Sequence, residues 1–332
     1  MTTPTIQSGW AFEHAGQPHG SFGVIACCPA PRRGLTRFFQ TTALPFTTPE
    51  QWTQAERIRS SAVTGPFHGV AAIVSDDSGK LDIVVSQTDY TLAHFSYDST
   101  GGWSGPSLLP GRASGPPAFI RGRFGGGHFE VVVPRPGGGV SHFWKQANAD
   151  GVWREAANRP AQDGVWSGVG LIHSSFGNLE LAGVKDGSLH FLWQNGEGGV
   201  WSVPQIVRRD AGSVGRPALI QSAYGVRGNF EVVVAKNDGG LVHYWRNNDD
   251  AAFAWFVGPV FRAAPNQSAY SFNDVSIFQS SYGRLEVFAA ERYAENKSVY
   301  RVIHYRSGLG QPWEGPIRAL DIPYDVTWWP RI

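Results

Sequence analysis

The chain has 332 residues, 42% of them hydrophobic and 17% charged, with 28 Lys+Arg against 27 Asp+Glu for a net charge of +1. That balance, with no basic stripe or charge run, argues against nucleic acid and anionic membrane as partners. No apolar stretch exceeds the length of a strand, which excludes a helical bilayer span, and 41 glycines with 22 prolines suit a chain built of many turns.

The opening Met1–Ser8 lacks the basic and apolar regions of a secretory leader. The two cysteines, Cys27 and Cys28, are neighbours in an expected strand, so they point to opposite faces and do not pair. Both features fit a reducing, cytoplasmic setting.

In chain order, a tryptophan recurs about every fifty residues: Trp52, Trp103, Trp153, Trp201, Trp255 and Trp313. Three further columns travel with it. The first is Ile-Gln-Ser at Ile6–Ser8, repeated as Ile73-Val74-Ser75, Ile120-Arg121-Gly122, Ile172-His173-Ser174, Ile220-Gln221-Ser222 and Phe278-Gln279-Ser280. The second is a strand with an acidic second position: Asp82, Glu130, Glu180, Glu231 and Glu286, with Gly23 in the first copy. The third carries His94, His142, His190, His243 and His304, with Arg37 in the matching slot. Each column is a short run rich in Val, Ile, Phe and Tyr, bounded by turn residues. Gly138-Gly139, Asp186-Gly187 and Asp238-Gly239-Gly240 read as hairpin turns between the second and third strands. The one candidate for a helical turn is Pro49–Arg59.

Four strands per unit describe a propeller blade. The expected architecture is an all-β, six-bladed β-propeller forming a single domain over 1–332. Its blades fall near 4–63, 64–114, 115–164, 165–214, 215–267 and 268–332. Tyr324–Ile332 exceeds the period; it closes the first blade as an extra strand or caps one face with Trp328 and Trp329.

Positions that recur identically serve what every blade needs. Equivalent histidines in neighbouring blades stand more than about 10 Å apart, too far to share a zinc ion whose ligands lie about 2 Å away. The histidines are therefore read as structural. The acids get the same reading, as partners of a backbone amide or an arginine. Gly125–Gly127 is a turn without a following helix, so it is no phosphate loop, and the serine of Gly164–Gly168 is not placed as in a nucleophile elbow. No metal or other cofactor is expected.

The informative column is the one whose copies disagree: Gln7, Val74, Arg121, His173, Gln221 and Gln279. Two orientations stay open. Facing the axial channel, these side chains would ring one asymmetric pocket; facing the adjacent blade, they would only knit blades together. Three residues on, Trp10, Phe124, Phe176, Tyr224 and Tyr282 supply an aromatic, either as packing between blades or as the wall of a pocket.

From Gly215–Ser222 through Gly228–Val234 to Gly240–Asp249, the fifth blade resembles those of bacterial fucose-binding propeller lectins of the Photorhabdus type. Leu171–Glu180 in the fourth is similar, and the likeness covers about 115–306. The resemblance implies a propeller with shallow sugar pockets between blades, lined by aromatic and polar side chains. The Tyr-Trp-Arg element it rests on survives at Tyr244-Trp245-Arg246 and, altered, at Phe143-Trp144-Lys145. Elsewhere it reads Phe95-Ser96-Tyr97, Phe191-Leu192-Trp193 and Tyr305-Arg306-Ser307. Equal copies serve avidity, so the divergence favours one unique pocket. In architecture that is similar to fungal propeller cyclases, including hetero-Diels-Alderases.

Two readings follow. The first is a cofactor-independent cyclisation enzyme acting on a largely apolar small-molecule substrate. Near-attack positioning and a donor toward a carbonyl would supply the rate. Arg121, His173, Gln221 and Gln279 are then catalytic, and Gln7, Trp10, Phe176, Tyr224 and Tyr282 bind substrate. The alternative is a lectin for a carbohydrate such as fucose, using Trp144, Trp245 and Arg246. The enzyme is the favoured reading at this point.

Overall fold

The computed structural model describes residues 11–13, 22–28, 34–40, 52–58, 67–74, 80–98, 102–146, 151–209, 212–261, 271–292 and 299–323. The strands pair into six four-stranded antiparallel sheets, each from one contiguous stretch of chain. The first holds β1 (Ala11–Glu13), β2 (Phe22–Cys28), β3 (Gly34–Gln40) and β4 (Trp52–Ile58). The second holds β5 (Phe67–Val74), β6 (Leu81–Gln87), β7 (Leu92–Asp98) and β8 (Gly102–Leu108). The third holds β9 (Ala118–Arg121), β10 (Phe129–Pro134), β11 (Val140–Lys145) and β12 (Arg154–Glu155). The fourth runs through β13 (Trp166–His173), β14 (Leu179–Lys185), β15 (Ser188–Gln194) and β16 (Gln205–Arg208). The fifth is β17 (Ser213–Gln221), β18 (Phe230–Lys236), β19 (Leu241–Arg246) and β20 (Trp255–Phe261). The sixth is β21 (Ser271–Gln279), β22 (Leu285–Arg292), β23 (Val299–Ser307) and β24 (Glu314–Pro323).

The innermost strands follow one another round a hub: β5 lies against β9, β9 against β13, β13 against β17, β17 against β21, and β21 against β1. The molecule is an all-β propeller with four-stranded antiparallel blades. Its core lies between the blades. Phe119, Val131 and Phe143 of the third blade pack on Ala71, Val84 and Leu92 of the second, and Ile172, Ala182 and Phe191 of the fourth meet Leu219, Val232 and Tyr244 of the fifth. The blades are spokes that splay outward, so inner strands are buried on both faces while outer ones are not. β13 is almost wholly buried; β16 and β20 are largely exposed.

Two sequence expectations change. Pro49–Arg59 contains no helical turn in its described part, because Trp52–Ile58 pairs with β3 as an edge strand. Tyr324–Ile332, offered as a closing strand or cap, lies outside the described residues, as do Gln7 and Trp10.

Candidate functional site

The columns that recur in every blade interlock. Two residues beyond four of the five acids of the second strand, the paired residue on the third is the histidine: Val132 pairs with His142 and Val233 with His243. His142 Nε2 lies 2.8 Å from Glu130 Oε2, His243 Nε2 2.8 Å from Glu231 Oε2, His304 Nε2 2.7 Å from Glu286 Oε2, and His94 Nε2 2.9 Å from Asp82 Oδ1. An ionised carboxylate only accepts, so the histidine donates. The serine of the first column donates to the same acid, Ser222 to Glu231 at 2.9 Å and Ser280 to Glu286 at 3.0 Å. The partner expected for the acids, a backbone amide or an arginine, is thus a histidine of the same blade. Onto three of the histidines packs the periodic tryptophan of the next blade: Trp153 on His94, Trp201 on His142 and Trp313 on His243, at 5.4–5.8 Å between ring centres. Among the described residues, no three His, Cys, Asp or Glu side chains are placed to hold a metal ion.

Three members of the divergent column, His173, Gln221 and Gln279, bond the preceding blade. A blade's sheet is radial, so most side chains of its inner strand point to the flanking blades. His173 Nδ1 accepts from the backbone N–H of Arg123 at 3.1 Å, Gln221 Oε1 from that of Ser175 at 2.7 Å, and Gln279 Oε1 from that of Ala223 at 2.5 Å. Each latch takes the amide two residues past the equivalent position in the preceding blade. Burial, then the charge of Arg123, lowers the His173 imidazole to about 4, so it is the neutral acceptor this bond needs. Gln221 also donates to Ser175 Oγ and the Arg227 carbonyl, both at 2.7 Å. Arg121 packs along Gly127 in its own blade, and the side chain of Val74 is outside the described set.

The hub itself is occupied. Arg216 of β17, 2% exposed, donates Nη1 to the carbonyls of Val70 (2.9 Å) and Pro117 (2.7 Å), and Nε and Nη2 to Asp274 (3.0 and 2.8 Å). One side chain therefore ties the fifth blade to the second, third and sixth. Gly168 lets the β17 backbone approach β13 closely at this point, since a Cβ there would sit 2.5 Å from Arg216 Cα.

The fourth blade breaks the acid–histidine pattern. Its hairpin closes through the two-residue turn Asp186-Gly187, both at positive φ, as a type I′ turn requires. The path from acid to opposite residue is one shorter than in the third and fifth blades, and Ala182 pairs with Phe191 rather than with a histidine. His190 falls on the other face, beside Trp166 at 5.5 Å between ring centres. Glu180, 3% exposed, keeps Ser174 (Oγ to Oε1, 2.9 Å) and has no histidine. Burial raises its carboxyl to about 7, against the lowering effects of Ser174 and the charge of Arg246.

That acid looks across to Arg246 at the end of β19. The guanidinium carbon stands over Phe230 (4.2 Å), Phe191 (5.1 Å), Phe253 (5.1 Å) and Trp255 (5.8 Å). Arg246 Nε donates to Asn248 Oδ1 at 2.7 Å, and the fully buried Asn248 is itself anchored on the Gly228 carbonyl. The terminal nitrogens of Arg246 bond no described residue. Burial lowers the guanidinium to about 10, which leaves it cationic at neutral pH. Phe176 and Phe253, 38% and 40% exposed, meet at the rim. The cleft is apolar-walled with a cation and an acid in it, the composition of a small-molecule site.

Of the remaining sequence candidates, Phe176 belongs to this cleft. Tyr224 is packing between the fifth and sixth blades, donating to the Gly283 carbonyl at 2.9 Å, with burial raising its phenol to about 12. Tyr282 is exposed. Trp245 and Arg246 do not clamp one ligand, because adjacent strand residues face opposite sides: Trp245 stacks on Phe256 in the next cleft. Trp144 stacks on His128 beneath Arg154. The tryptophan that shares the Arg246 cleft is Trp193, opposite Glu180. Register hid it, since the sequence aligns Phe191-Leu192-Trp193 with Tyr244-Trp245-Arg246 one residue out of step.

No protein-family model matches the chain, and no curated protein matches it. Solved structures do. The chain is similar to the BP39L lectin from Burkholderia pseudomallei at 18% identity and TM-score 0.63, over 95% of this chain and 84% of that one. It is similar to the Aleuria aurantia lectin, a six-bladed propeller with a described fucose recognition mode, at 14% identity and TM-score 0.65, over 98% of each chain. It also resembles the NanB sialidase from Streptococcus pneumoniae at 8% identity and TM-score 0.58, over 87% of this chain and 66% of that one. These likenesses establish the propeller fold. No helix among the described residues is long and apolar enough to cross a membrane.

Proposed function

We propose that this chain is a sugar-binding propeller of six blades, a lectin-type protein that takes a fucose-type monosaccharide between blades. The observation that carries the reading is Arg246: a cation held in an aromatic-walled cleft, fixed by one nitrogen to Asn248 and with its terminal donors bonded to no described residue. A 6-deoxy sugar matches that cleft, offering hydroxyls to the guanidinium and a methyl and C–H face to the rings. The fold likeness to the Burkholderia and Aleuria lectins supports it. The cyclase reading needed an open hub ringed by the divergent column; with Arg216 and Asp274 across the hub and the glutamines turned between blades, nothing supports that pocket.

A glycan array read together with retention on fucose-agarose tests the proposal. Retention that Arg246→Ala abolishes is the expected result. A blank array with no retention of the wild-type chain ends it.

A further inference from the structure

Sugar-binding propellers are commonly thought of as multivalent, and the repeat invites that view here. The register of the clefts points elsewhere. At the end of the third strand, opposite the residue before the acid of the same blade, stand Tyr97, Lys145, Gln194, Arg246 and Ser307. Of these, Lys145 faces Asp82 and Arg246 faces Glu180 of the preceding blade. In the first blade the acid slot is Gly23, and Arg37 covers Tyr97 at 5.1 Å. In the clefts of Asp82, Glu130, Glu231 and Glu286, a histidine takes up the carboxylate at 2.7–2.9 Å. Lys145, the other cation in the series, is drawn toward His94 Nδ1 at 3.5 Å.

We infer that ligand binding is confined to the cleft between the fourth and fifth blades, making this a monovalent binder, and that Phe191 is the residue that opens it. The inference rests on the sugar reading and deepens it. Phe191 occupies the histidine slot but carries no donor, so the donors on Glu180 are Ser174 and Asn178 and no histidine stands between the acid and Arg246. A vicinal pair of sugar hydroxyls fits such a pair of groups, one hydroxyl donating to the acid and its neighbour accepting from the guanidinium. The aromatic wall survives the exchange, since Phe191 meets Trp255 at 5.3 Å where the histidines meet their own tryptophans. Valence is thus set by one position per cleft.

Isothermal titration with methyl α-L-fucoside, on wild type, Phe191→His and the double variant His142→Phe/Gln194→Arg, tests this. The wild type is expected to bind one sugar per chain. Phe191→His rebuilds the arrangement of the other blades, so it should fold normally by circular dichroism yet lose about 10- to 100-fold in affinity, the worth of a hydrogen bond to a charged group. The double variant should raise the stoichiometry to two. Wild-type binding at more than one site per chain, or unchanged affinity in Phe191→His, overturns the single-site inference while leaving the sugar reading intact. Absence of any wild-type binding removes both.

Discussion

Truncating Asp274 to alanine tests how the hub is held. Arg216 is 2% exposed, and four of its bonds are described: two to backbone carbonyls of the second and third blades and two to the Asp274 carboxylate. Removing the acid leaves the carbonyls but no counter-charge, so a guanidinium stays buried unpaired. Breaking a buried pair by deleting one partner costs about 3–5 kcal/mol. At about 2.1 cal/mol/K per residue, a chain of 332 residues unfolds with an entropy of about 0.7 kcal/mol/K. The expected fall in Tm is therefore about 4–7 °C by differential scanning calorimetry. Replacing both partners with apolar residues of similar volume should recover most of the loss, because the desolvation cost of both ions disappears with them. A Tm in Asp274→Ala within about 1 °C of wild type, well below the range worked above, would refute the claim that this pair pins four blades.

Three further outcomes follow from the same contacts. Gln221→Ala removes a latch to Ser175 and should cost about 1–3 kcal/mol in urea unfolding, with retention on fucose-agarose unchanged. His304→Ala strands Glu286, which is fully buried, and should cost about 2–4 kcal/mol by the same measurement. Glu180 binds its proton more tightly folded (about 7) than at its ordinary value of 4.5. The folded chain therefore holds more protons between those values, so stability is full below about pH 4.5 and declines as pH rises through 7, by up to about 3 kcal/mol. Thermal melts from pH 4.5 to 8 should show that slope, and Glu180→Gln should flatten it.

The fold was legible because a propeller is a repeat, and repeats print their period. Trp103 and Trp255 fell in the outer strands β8 and β20, Trp153 and Trp313 directly before β12 and β24, and the hairpin glycines and Val/Ile/Phe runs on the turns and strands they implied. What the sequence did not reveal was direction. Gln221 reads equally well as lining a channel or lacing two blades; only the radial setting of the sheets decides, since it turns inner-strand side chains sideways. Arg216 and Asp274 gave no signal at all, because each occurs once and the pair meets across the hub, 58 residues apart. The Arg246 cleft was half visible: the Tyr-Trp-Arg element marks Arg246, whereas the pairing of Glu180 with Trp193 is hidden because His190 is in step with the other histidines in sequence but one residue out of step in the sheet.

That misalignment is also the physical origin of the cleft. Side chains on a strand alternate with a period of two, so a one-residue change in a hairpin moves every residue beyond it to the opposite face. In the fourth blade the tight Asp186-Gly187 turn shortens the path by one, which carries His190 away from Glu180 and brings Phe191 and Trp193 to it. The loss of one structural bond and the gain of an apolar wall are therefore a single event, achieved without altering the acid, its serine or the tryptophan of the next blade. A repeat fold supplies identical, mutually satisfied clefts by default. Function of the kind proposed here needs one cleft left unsatisfied, and a shortened turn is among the smallest changes that can produce it while five neighbouring spokes keep the ring closed.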